Sequence, residues 1–124
     1  MRIRAAEQVR AKSVYDAPSG GDGRRVLVTR YWPRGVSKEG VDEYVPALAP
    51  SRELLHSYRQ GMLDWPRYRL QYLKEMRGEV ARAEIHRLAK LARSEVITVM
   101  CVCADQDYCH RSLLRELIAG FDEG

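Results

Sequence analysis

One stretch, Glu95 to Leu117 (EVITVMCVCADQDYCHRSLLREL), limits the folds open to this chain more than any other. It starts with Val96 to Cys103, an apolar run rich in β-branched residues. Such a run leaves no face for water, so it is expected as a central strand buried on both sides. A polar loop follows, Ala104 to Tyr108, and then a helix-like run from Ser112 to Ile118. A buried strand feeding a helix implies an open α/β sheet, where ligands gather at strand carboxyl ends beside helix N-termini. Cys101, Cys103, Cys109, His110 and Arg111 all fall at that junction.

The rest of the chain supplies partners for this strand. Residues 1–8 are expected as an arm and residues 9–124 as one α/β domain. Val9 to Tyr15 reads as a strand, and Asp16 to Gly23 as a loop too short for a crossover helix. The first two strands are therefore either antiparallel or separated by another strand. Arg24 to Tyr31 reads as the second strand, stopped by Trp32-Pro33-Arg34-Gly35, since Pro donates no ladder bond. Ser37 can cap a short helix through Val41. Ser51 can cap a helix over Arg52 to Gln60, with Gly61 as its stop, and Asp64 a third with Pro66 in its first turn. Trp65, Tyr68, Tyr72 and Met76 recur at helical spacing, and the simpler account of them is a core face. Gly78 interrupts the pattern, which resumes from Ala81 to Ala92.

The excursion from Tyr31 to Glu95 is long enough for a right-handed crossover to a parallel strand. The expected fold is a small, mostly parallel sheet flanked by helices. The second and last strands become parallel near neighbours. Arg30, Trp32 and Arg34 then share an edge with Cys103, Cys109, His110 and Arg111.

Composition adds bounds. A chain of 124 residues with 45% hydrophobic residues suits one domain with a real core. No apolar run approaches the roughly 20 residues of a membrane span, and the basic start MRIRAAEQVRAKS lacks the apolar segment of a signal peptide. Three cysteines are an odd number, which disfavours a secreted disulfide framework. A cytoplasmic protein with no membrane partner is expected. The net charge of +4 suits an anionic ligand, and is weak evidence for nucleic acid.

The edge chemistry has competing accounts. Arg30, Arg34 and Arg111 suit phosphate or carboxylate, which Arg grips in bidentate fashion, or they form surface ion pairs. His110 is an acid–base candidate or a capping and packing residue. Cys109, just before a helix, is the best candidate nucleophile. Cys101 reads as a small apolar core residue. Cys101, Cys103, Cys109 and His110 form a weak metal set, because zinc more often takes two paired knuckles. The interval from Cys103 to Arg111 is too long, and lacks the glycines, for a phosphatase-like loop. No P-loop, dinucleotide fingerprint or Gly-x-Ser-x-Gly elbow occurs, and no cofactor is expected.

Ser13-Val14-Tyr15-Asp16-Ala17-Pro18 and the block from Asp22 through Trp32-Pro33-Arg34-Gly35 to Lys38 resemble the YeaO-like family, domain of unknown function 488. The likeness continues at Leu48-Ala49-Pro50-Ser51 and from Tyr68 to Met76. The segment from Cys101 to Cys109-His110-Arg111 is similar to the broader membership of that family. Cys103 stands where those members carry an acidic residue, and Thr29 where the YeaO-like branch usually has Asp. The resemblance implies a compact α/β domain with a parallel or mixed sheet, and implies no reaction.

Three functions are compatible with these residues. The first is binding, or processing, of a phosphate-bearing ligand such as a nucleotide or nucleic-acid end. There Arg30, Trp32, Arg34 and Arg111 hold the ligand and His110 and Cys109 do the chemistry. The second is a thiol redox or metal-responsive module using Cys101, Cys103 and Cys109. The third is a non-catalytic interaction domain. Oligomeric state is not legible.

Overall fold

The computed structural model describes residues 8–102 and 109–121. The expected arm over residues 1–8 falls almost wholly outside them, as do Cys103 and the loop after it. The strands are β1 (Val9–Ser13), β2 (Arg24–Leu27), β3 (Glu43–Tyr44) and β4 (Ile97–Cys101). The helices are α1 (Arg52–Arg59), α2 (Trp65–Glu75), α3 (Glu79–Leu91) and α4 (His110–Ala119). The strands form one sheet in the order β1-β4-β2-β3, and each pairing is parallel.

β4 is central and every residue of it is buried, as its unbroken apolar run demands. It also resolves the relation of the first two strands. β1 and β2 are parallel with β4 between them, and the loop joining them crosses back past β4 with a 3-10 turn, Gly20–Asp22, in place of a helix. Side chains alternate between the two faces. Val9, Val26, Val28, Ile97 and Val99 face a core completed by Leu54, Tyr68, Tyr72, Ile85, Leu88, Leu114 and Ile118 of the helices. Leu27 and Met100 face the other way and join Val14 in a small cluster covered by Val36, Val41 and Val102. Cys101 is in step with Ile97 and Val99, so it points into the helical layer.

Two expectations shift locally. β2 stops at Leu27 rather than Tyr31, although Val28 N still donates to Met100 O at 2.9 Å. The Thr29 hydroxyl donates to Tyr31 O at 2.6 Å and turns the chain out of the ladder. The helix expected after Ser37 is a single 3-10 turn, Lys38–Gly40, followed by β3. β3 is too short to show alternation, and it is fixed by backbone bonds to β2: Asp42 N to Arg25 O and Val45 N to Leu27 O, both 2.8 Å. No helix among the described residues is long and apolar enough to cross a membrane.

Candidate functional site

Parallel strands place their carboxyl ends on one edge. Val14 N donates to Cys101 O and Val28 N to Met100 O, so the chain leaves β1, β2 and β4 side by side. After β2 the Trp-Pro-Arg-Gly block makes a tight turn, with Val36 N donating to Pro33 O at 3.4 Å. Gly35 is its third residue and has φ 78°, a conformation open to glycine and disfavoured elsewhere. Arg34 therefore stands at the apex. The turn is pinned from outside: the Tyr15 hydroxyl donates to Arg34 O at 3.0 Å and the Tyr44 hydroxyl to Arg30 O at 3.1 Å. Trp32 Nε1 donates to Val36 O at 2.9 Å, and its ring meets Tyr44 edge-on at 5.4 Å.

A cleft of about 380 Å³ opens beside this turn. Tyr15, Tyr31, Trp32 and Tyr58 give it aromatic walls, and Arg30, Arg34, Arg59 and His110 give it cationic or titratable groups. Arg30 is partly committed: Nε donates to Pro50 O at 3.1 Å and NH2 to Ala49 O at 3.2 Å. The guanidinium groups of Arg34 and Arg59, both exposed, have no hydrogen-bond or ion-pair partner among the described residues.

Behind the cleft lies a buried cluster. Cys109 is the N-cap of α4, and its sulfur is 2.7 Å from that of Cys101 at the end of β4. Arg111 NH1 donates to Cys101 Sγ at 3.6 Å. His110 Nε2 lies 2.7 Å from Val28 O, and Nδ1 lies 3.8 Å from Cys109 Sγ. A carbonyl only accepts, so Nε2 carries a hydrogen. The ring leans on Tyr72 at 5.5 Å. Burial pushes the Tyr72 hydroxyl well above its ordinary pKa, with Tyr68 adding to the shift. It stays neutral and donates to Leu48 O at 2.8 Å.

Residues 9–120 match the family model DUF488-N3a, described as the active DUF488-N3 subclade. The chain belongs to this family. Among curated relatives, the uncharacterized protein YeaO of Escherichia coli (strain K12) is 32% identical over 110 residues, covering 87% of this chain and 94% of the relative. The uncharacterized proteins Rv3073c of Mycobacterium tuberculosis (strain ATCC 25618 / H37Rv) and Mb3100c of Mycobacterium bovis (strain ATCC BAA-935 / AF2122/97) are each 31% identical over 115 residues, covering 91% of this chain and 95% of the relative. No solved structure gives a significant match.

In this DUF488 chain the expected site residues divide into two groups. Arg30, Trp32, Arg34 and His110 line one cleft. Arg111 and Cys109 are buried at 3% and 1% exposure and do not line it; Arg111 turns toward Cys101 instead. That sulfur is a described partner for the cation at the helix start. Tyr15, Tyr58 and Arg59 also line the cleft and are not singled out by the sequence reading. Tyr15 follows β1 as Trp32 follows β2, so strand order could have flagged it. Tyr58 and Arg59 end α1, whose placement depends on tertiary packing.

Proposed function

We propose that the cleft binds a phosphate-bearing ligand with a flat ring, a nucleotide or a nucleic-acid end. The observation that carries this reading is the pair Arg34 and Arg59: two guanidinium groups with no partner among the described residues, on the wall of one aromatic cleft. Guanidinium forks match phosphate oxygens in bidentate fashion. Exposed rings such as Tyr15, Tyr31 and Trp32 offer stacking, worth about 1–3 kcal/mol per base where it has been measured by truncation. Arg30 is steadied beside the cleft by its two carbonyl bonds, and His110 lines the same wall. A cytoplasmic location belongs to the same reading, since the odd cysteine count argues against a secreted disulfide framework.

Thermal shift and calorimetric titration test it with inorganic phosphate, nucleosides, nucleoside mono-, di- and triphosphates, and a 5′-phosphorylated oligonucleotide. Phosphorylated ligands with a base should bind, and nucleosides or phosphate alone should bind far more weakly. Loss of a charged hydrogen bond in Arg34→Ala should weaken binding about tenfold. No response to any ligand, or equal affinity in Arg34→Ala, removes the proposal.

A further inference from the structure

We infer that Cys101 and Cys109 form a redox pair, oxidised to a disulfide by a small hydroperoxide and restored by a dithiol reductant. This goes beyond ligand binding, because neither sulfur lines the cleft.

The pair is preassembled. One sulfur ends the central strand and the other caps the last helix, and they lie 2.7 Å apart. A disulfide joins sulfurs about 2.05 Å apart, so these two stand within reach of one. A cation and a helix start lie beside the two sulfurs. Arg111 donates to the Cys101 sulfur, and Cys109 sits at the N-terminus of a ten-residue helix. His110 Nδ1 lies 3.8 Å from the Cys109 sulfur, while Nε2 lies 2.7 Å from Val28 O. Cys109 is therefore the sulfur with an imidazole nitrogen beside it.

The chemistry balances with the hydroperoxide as oxidant. His110 takes the Cys109 proton, and the thiolate attacks the near peroxide oxygen. The O–O bond breaks and Cys109 becomes a sulfenic acid. The leaving oxygen takes up a proton and departs as water or an alcohol. Cys101 then attacks the sulfenic sulfur, the S–O bond breaks, and hydroxide leaves as water with the remaining proton. Two thiols are oxidised by two electrons and one peroxide is reduced. A dithiol reverses the link by thiol–disulfide exchange. With both sulfurs buried, the pair suits a small hydroperoxide better than a peptide disulfide.

The same three residues also bring metal donors together, with ligand atoms of Cys101, Cys109 and His110 within 4.8 Å of one another. Arg111 donates to one of these sulfurs, and its positive charge opposes a cation bound there.

The test uses the whole protein and its Cys103→Ser variant, reduced and then titrated with hydrogen peroxide. Intact mass should fall by the two thiol hydrogens in both proteins. Non-reducing peptide mapping should link Cys101 to Cys109, and dithiothreitol should restore the starting mass. In Cys101→Ser, a sulfenic acid on Cys109 should be trapped by a dione reagent. The proposal is overturned by oxidation that stops without a link, by a link that uses Cys103, or by stoichiometric bound zinc that blocks oxidation until it is chelated.

Discussion

Gly23 and Gly35 both have positive φ, yet they stand in very different surroundings. Gly23 precedes β2, where the chain passes against Val96. A Cβ built there would lie 2.2 Å from Val96 O, and neighbouring Arg24 N donates to that same carbonyl. Any side chain at Gly23 must push β2 off β4. Gly35 has open space around it, so a side chain there meets only the backbone penalty of the left-handed region. Gly35→Ala should cost about 1–2 kcal/mol, and Gly23→Ala about 3 kcal/mol or more. Urea unfolding of both variants checks the order, and equal losses would show that β2 can shift away from Val96. The sequence reading makes Gly23 only part of a loop and Gly35 a strand breaker. The special need at Gly23 arises from a carbonyl more than 70 positions away, which no local pattern reveals.

At the scale of elements, helix starts are the most legible features, because a cap needs only its own few residues. Ser51 accepts from Leu54 N at 3.1 Å and Asp64 from Arg67 N at 3.0 Å, as their positions before helical patterns imply. What stays hidden is tertiary. The Ser51 hydroxyl also donates to Glu75 near the end of α2, and Ser51 N donates to the same carboxylate at 2.8 Å. Ser51 thus ties α1 to α2 and steadies the segment that carries Tyr58 and Arg59 to the cleft. Asp64→Ala should cost about 1 kcal/mol, an ordinary exposed cap, and Ser51→Ala about 2 kcal/mol because the carboxylate contact goes too. Chemical denaturation of the two variants compares them. Equal losses would mean that the Glu75 contact adds nothing to the cap. The same division explains β3, whose two residues are strand only because β2 lies beside them. The meeting of Arg30, Trp32 and Arg34 with His110 is legible because it follows from parallel strand order alone. Arg59 is not, because it depends on how α1 is tied down.

Over the whole molecule, charge ties the strands of the sheet to one another. Asp22 pairs with Lys12 of β1 at 3.0 Å and with Arg25 of β2, while Thr98 of β4 donates to Asp22 O at 2.7 Å. One residue therefore fastens three strands. Its carboxyl is subject to burial, which alone would raise its pKa, but the Ser19 backbone N–H, Lys12 and Arg25 outweigh this and hold it well below the usual carboxylate range. Glu43 is lowered as well, chiefly by its bond from Arg87, and joins β3 to α3 and to Arg24. A carboxyl with a depressed folded pKa is protonated first in the unfolded chain, at about pH 4. Between that point and the folded pKa the unfolded state binds more protons, so stability falls as pH drops. The contribution is fully present above about pH 5 and is lost progressively below about pH 4. Asp22→Asn isolates this residue, since Glu43 acts alike in both proteins. The variant should lose about 3 kcal/mol near neutral pH, as expected for breaking a buried pair. The gap from the native chain should then narrow as pH falls below about 4, where the native carboxyl's advantage disappears. Urea midpoints measured from pH 7 down to about pH 2.5 trace both curves. A gap that stays constant across that range, or widens in acid, would mean that Asp22 holds the three strands by shape and neutral hydrogen bonds rather than by its charge.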